Sequence, residues 1–163
     1  MPSKFPFLKS STEPYGLLEQ LGVAITLNPA EDAAQSGPGS WFGRLLEERD
    51  FLWLFQTADG REIERVEDRE QLAESYLSEN FRFTVFDWEL LLLRITDDQG
   101  VLQGEVDLKG RSNLSGVEIR HDGQHTFECD IVRGDGQKWR VKRIVITEQG
   151  QRRDPARALS EVI

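Results

Sequence analysis

Two acidic side chains interrupt the most hydrophobic stretch of the chain. Asp87 and Glu89 lie inside Phe81 to Thr96 (FRFTVFDWELLLLRIT). They are two residues apart, so on an unbroken strand they share a face with Phe83, Val85, Leu91 and Leu93. A carboxylate enclosed among apolar groups has its pKa raised, which suits it to act as a general base. Tyr15 or His125 could then return the proton. A bulge near Asp87-Trp88 would instead turn both acids to solvent. Bulges are common in long strands of bent sheets, and this is the arrangement we expect.

The other reactive side chains are sparse. His125 shares a face with Phe127 and Cys129, so it could reach a pocket. Four residues along a strand separate the His125 and Cys129 backbones by about 13 Å, too far for a nucleophile and its base. Cys129 reads as a small core residue. His121 abuts Asp122-Gly123 and reads as a solvated turn residue. Asp107 and Lys109 read as a solvated face with cross-strand ion pairing, and Asp130 as exposed. Two histidines and one cysteine give no metal-ligand spacing, and no cofactor is expected. Gly37 to Gly43 (GPGSWFG) superficially resembles a phosphate-binding loop, but its spacing is too long and no βαβ unit follows.

The tryptophans matter for a different reason. Trp53 sits in an all-apolar run and should be core. Trp88 lies on the opposite face from Asp87 and Glu89, beside Phe86, Leu90 and Leu92. Both faces of this one strand therefore carry large apolar groups. The helices can cover one face, and a second subunit stacked on the outer face would cover the other.

At 163 residues the chain suits one domain that buries roughly 70% of its unfolded surface. No apolar run approaches the roughly 20 residues that span a bilayer. The N-terminus lacks the apolar core of a signal peptide. With a single cysteine, an intramolecular disulfide is excluded, and we expect a cytoplasmic protein. The balance of 29 acidic against 20 basic residues disfavours nucleic acid and anionic membranes as partners.

The elements that would position these residues follow from periodicity and punctuation. Residues 1–10 read as a flexible arm. A helix capped by Ser11 or Thr12 carries Tyr15, Leu17, Leu18 and Leu21, with Gly22 interrupting it; Val23 to Leu27 suits either strand or helix. Asn28 to Gly39 is a breaker-rich loop. Ser40 then caps a helix from Trp41 to Arg49. Phe51 to Gln56 is a buried strand, turned by Ala58-Asp59-Gly60 into an edge strand, Arg61 to Val66. Asp68 caps the next helix, with Gln71 completing a capping-box-like start. Four alternating runs follow, Phe81–Thr96, Val101–Asn113, His125–Arg133 and Trp139–Thr147. Asp-Gly at 122–123 and at 135–136 supplies hairpin chemistry. Leu114 to Arg120 reads as an additional short strand, and residues 149–163 as a polar tail.

Helix, helix, hairpin, helix and meander is an order that resembles the NTF2-like (SnoaL-like, cystatin-like) family. The resemblance spans residues 11–148. It rests on that order, on Asp59-Gly60 before the Asp68 helix, and on the ending Gly136-Gln137-Lys138-Trp139-Arg140-Val141. It implies an α+β fold in which N-terminal helices and a small hairpin pack on a strongly bent antiparallel sheet, forming a cone. It also implies a pocket between helices and sheet, for which Trp41, Phe83, Phe127 and Trp139 are the candidate lining residues. The expected function is a non-catalytic module that dimerises through its sheet and holds a small apolar ligand in the cone. The alternative is a small isomerase- or dehydratase-type enzyme using Asp87 or Glu89 as base, with Tyr15 or His125 as proton donor.

Overall fold

The computed structural model describes residues 13–26, 41–78, 80–114, 116–134 and 138–149. The N-terminal arm, the caps at Ser11, Thr12 and Ser40, the loop at 28–39, the turn at 135–136 and the tail beyond 149 lie outside them. So does the side chain of Trp41.

Among the described residues three helices and six strands follow in the order α1 (Pro14–Thr26), α2 (Trp41–Arg44), β1 (Leu52–Gln56), β2 (Glu62–Val66), α3 (Arg69–Leu77), β3 (Phe81–Thr96), β4 (Gln99–Ser112), β5 (Ile119–Val132) and β6 (Arg140–Glu148). The strands form one sheet in the order β2-β1-β6-β5-β4-β3. All neighbours are antiparallel except β1 and β6, which run parallel. The edges of the sheet are therefore β2 and β3. Among the described residues no helix is long and apolar enough to cross a membrane.

α1 buries Leu17, Leu18, Leu21, Ala24 and Ile25, the helical spacing of a single core-facing stripe. It runs on through Gly22 to Thr26, whose hydroxyl donates back to the Gly22 carbonyl at 3.0 Å, so the ambiguous stretch after Gly22 is helical as far as it is described. α3 is capped by Asp68, whose carboxylate accepts from the Glu70 amide at 2.9 Å. α2 is only four residues long, not the longer helix expected to Arg49. Its continuation pairs with β6 instead: the Val141 amide donates to the Leu45 carbonyl at 2.9 Å and the Glu47 amide to the Val141 carbonyl at 2.7 Å. Bonding to a neighbouring strand replaces the helical bonds those groups would have made.

The meander differs from the sequence expectation at one joint. Asp122-Gly123 is not a hairpin turn. β5 runs through it unbroken, with Gly123 at φ +92° opposite Leu108, and the chain reverses earlier, between Ser112 and Ile119. Glycine permits that backbone angle inside a strand, where it produces a local kink rather than a reversal.

β3 carries two register shifts against β4, between Phe83 and Val85 and between Leu90 and Leu92. The first moves the buried set from Phe81 and Phe83 to Phe86, with Trp88 and Leu90 packed against the core. The result is a continuous aromatic row inside the cone. Successive ring centroids lie 4.8 Å (Tyr76–Phe42), 5.9 Å (Phe42–Phe81), 5.0 Å (Phe81–Phe83), 5.1 Å (Phe83–Phe86), 5.0 Å (Phe86–Trp88) and 4.9 Å (Trp88–Phe127) apart. These spacings are those of favourable edge and offset ring pairs.

The second register shift sits opposite Gly104. A β-carbon at Gly104 would collide with the Glu89 carbonyl oxygen, a backbone atom that cannot swing aside. Gly104→Ala should therefore destabilise the fold by about 1–3 kcal/mol, in the range of overpacking changes. The check is a urea titration: the midpoint should fall with the slope unchanged, and an unaltered midpoint would contradict the close approach.

Candidate functional site

The most distinctive polar arrangement in the cone is one that the sequence reading did not assemble. Glu64 of β2, Ser112 of β4 and His121 of β5 are buried together, at 3%, 0% and 3% exposure. Register explains the meeting. Glu64 shares the inner face of the hairpin with Val66 and stands opposite Phe55. His121 is paired with Gly110 on β4, and Ser112 follows two residues later on the same strand face. The bent sheet brings its β2 edge over the ends of β4 and β5, although β1 and β6 lie between them in sheet order.

The Ser112 Oγ donates to Glu64 Oε1 at 2.6 Å and lies 2.8 Å from His121 Nε2. The Leu114 amide donates to Glu64 Oε2 at 3.3 Å. Glu64 Oε1 and His121 Nε2 are 4.0 Å apart, so the serine hydroxyl mediates between them. Phe55 stacks on the imidazole at 4.0 Å and Phe83 at 5.7 Å.

Burial sets the protonation states. Desolvation raises the Glu64 carboxyl above its ordinary range, partly offset by the Ser112 and Leu114 donors. Desolvation, followed by the neighbouring His125, lowers His121 to about 4, against a smaller opposing pull from Asp122. His121 is thus neutral at pH 7. With Glu64 ionised, Ser112 donates to it and His121 donates to Ser112 from Nε2–H. With Glu64 protonated, the chain runs the other way and His121 accepts. Both arrangements pair every group, whereas a second proton leaves one hydrogen of the cluster without an acceptor. The cluster closes β2 onto β4 and β5, with aromatic rings packed against the imidazole.

The residues singled out from sequence fall elsewhere. Asp87 and Glu89 are exposed on the outer face. The shift that puts them there is at Thr84, not at Asp87-Trp88. Tyr15 and Asp87 meet at a groove of about 420 Å³ between α1 and β3, which Val85 and Trp88 also line. His125 is buried on the inner face at 3% exposure, its Nδ1 donating to the Gly123 carbonyl at 3.0 Å. Phe83, Phe127 and Trp139 all belong to the buried core, and the Arg133 guanidinium lies 4.4 Å over the Trp139 ring. Cys129 is fully buried, and burial pushes its thiol pKa far up, so it is an inert core thiol. His121 is not the solvated turn residue its neighbours suggested, because no turn exists there. Among the described residues no group of three or more His, Cys, Asp and Glu side chains could hold a metal ion.

The outer face presents a second groove, of about 450 Å³. Leu91 and Leu92 line it from β3, with Gln103, Glu105 and Glu128 facing them and Arg143 on β6. Arg143 pairs with Glu128 at 3.3 Å and with Asp130 at 3.4 Å across the strands, so Asp130 is a paired outer-face residue.

Helices cupped by a bent six-stranded sheet define an α+β cone. Solved structures with this architecture include NTF2-like proteins. One from Cytophaga hutchinsonii superposes with a TM-score of 0.58 at 20% identity, covering 83% of this chain and 94% of its own. An NTF2-like protein of unknown function in nutrient uptake from Rhodospirillum rubrum gives a TM-score of 0.55 at 15% identity, covering 83% and 98%. An NTF2-like protein with a cystatin-like fold from Novosphingobium aromaticivorans gives 0.54 at 15% identity, covering 98% and 97%. The chain has an NTF2-like fold. No protein-family model and no curated protein matches its sequence.

The buried histidine makes stability depend on pH with a definite sign. Its folded pKa, about 4, lies below the ordinary 6.5, so the unfolded chain takes up a proton that the folded chain refuses. That contribution is complete above pH 6.5 and is lost as pH falls towards 4, amounting to about 3 kcal/mol at full extent. Glu64 acts oppositely: its raised pKa makes burial costless below its unfolded value of 4.5 and costly as pH rises through its folded value. Urea titrations near neutral pH and near pH 4.5 should show a smaller loss for His121→Phe than for the parent chain. Equal losses would contradict the assignment.

Proposed function

We propose that the chain is a non-catalytic NTF2-like module that forms a homodimer through its sheet. The observation that carries this reading is a strip of large apolar side chains left open on β3: Leu91 at 62% exposure, Leu92 at 38%, Leu93 at 44% and Ile95 at 41%. Four such residues lie within five positions of one edge strand, a concentration of exposed apolar side chains of the kind that marks an interaction surface. A second copy would remove it from water.

The interior supports the non-catalytic part. The inner face of the sheet is occupied by the aromatic row, and Glu64, Ser112 and His121 pair with one another there. Of the two carboxylates of the enzyme alternative, Glu89 is exposed outside the groove beside α1, and Asp87 is exposed at that groove's wall rather than enclosed among apolar groups. A small apolar ligand would meet the cone at the groove beside α1, against Val23, Val85, Phe86 and Trp88.

Sedimentation velocity over a hundredfold range of concentration tests the dimer. The parent chain should sediment as a dimer that dissociates on dilution. Leu91→Asp combined with Leu93→Asp should sediment as a monomer with unchanged circular dichroism. A parent chain that remains monomeric at every concentration overturns the reading.

A further inference from the structure

Among the described residues β3 is an edge strand, bonded to β4 on one side only. α1 lies against its first half, along Val85 to Trp88. Beyond Trp88 the strand continues to Thr96, and this is where the apolar strip sits.

The strip is exposed on both faces. Leu92 is paired with Gln103, an outer-face residue whose amide donates to Glu128 at 3.1 Å. Leu93 is paired with the fully buried Leu102, and Ile95 with Gly100, so both stand on the inner face. A sheet stacked on the outer face would cover Leu91 and Leu92 and leave Leu93 and Ile95 in water. A partner that meets the strand along its edge touches all four.

We propose that two copies of the chain join edge to edge along Glu89–Thr96 of β3, antiparallel about a two-fold axis at Leu92, extending the sheet from one subunit into the other. This rests on the dimer reading above and fixes its geometry. The sequence of the strip is matched to its own reverse. Discounting Leu91, which the register shift extrudes, Leu92 lies opposite the partner's Leu92, and Leu93 opposite the partner's Leu90 on the inner face. Arg94 then lies opposite the partner's Glu89 on the outer face, and symmetry repeats that pair at the other end. Neither Glu89 nor Arg94 forms an ion pair with another described residue of its own chain. A segment of an unrelated protein could add to the same edge, but only a second copy brings both charges at mirrored positions.

A charge swap tests the geometry separately from the dimer. Arg94→Glu and Glu89→Arg each place like charges opposite one another twice, and each should weaken dimerisation by about tenfold. The double variant restores both pairs and should return the dissociation constant to within about threefold of the parent. Leu92→Cys should form an intersubunit disulfide under mild oxidation, because residues facing each other across antiparallel strands have β-carbons about 4.5–5.5 Å apart, close to disulfide reach. Cys129 is buried and does not compete. A dimer that shows neither rescue nor crosslinking overturns the edge arrangement and leaves the dimer standing. A parent chain that does not dimerise overturns both.

Discussion

A strand can offer only alternate residues to one face, and β3 is asked to bury more than strict alternation permits. Its start must pack Phe81 and Phe83 against the helices and the hairpin, and its middle must do the same with Phe86, Trp88 and Leu90. Odd and even residues reach the same face only if one residue is added between the two sets. Thr84 is that residue. The placement of Asp87 and Glu89, the length of the aromatic row and the course of α1 along the strand all depend on it.

The second shift, at Leu91, returns the alternation to its first phase. By then the strand has passed beyond α1, and its inward residues Leu93 and Ile95 have no helix over them. The hydrophobic driving force that organises the first ten residues of β3 is therefore unspent over the last six. Burial of apolar area is stabilising at about 25 cal/mol per Å², so a surface of this kind favours association. The acidic balance of the chain opposes close approach of two copies, and the free Glu89 and Arg94 are the groups that could offset that repulsion locally.

The closed end of the cone obeys a different constraint. An ionisable group taken out of water must find partners or change its protonation. Glu64 and His121 find partners through one serine hydroxyl that can donate in either direction, and burial disfavours the charged form of each. The arrangement links an edge hairpin to strand ends far from it in sheet order, and it admits one proton without losing a hydrogen bond. Its chemistry is that of a tie between layers.

Much of the fold was legible because it is written in period and order. The β3 boundaries, the Asp68 cap, the edge character of β2 and the core positions of Trp53 and Cys129 all follow from local pattern. The buried cluster was not assembled, for two physical reasons. Asp-Gly is strong turn chemistry, and reading it as a turn broke the phase that otherwise runs unbroken from Ile131 back through Phe127 and His125 to His121. Glu64 stands two residues before Val66 and so shares its inward face, but an acidic residue in a polar edge strand reads as solvent-facing until its partners are known. The short α2 had no local signal at all, since its end is set by bonding to β6, nearly a hundred residues away.

Amide hydrogen exchange along β3 is the most direct test, because β4 protects only alternate amides of this edge strand and the others are protected only when a further strand pairs with them. Two copies joined along this edge should make the amides of Leu91–Thr96 that point away from β4 exchange slowly at high protein concentration and quickly on dilution, while those of β5 and β6 do not change. Exchange within Leu91–Thr96 that is equally fast at both concentrations would contradict it.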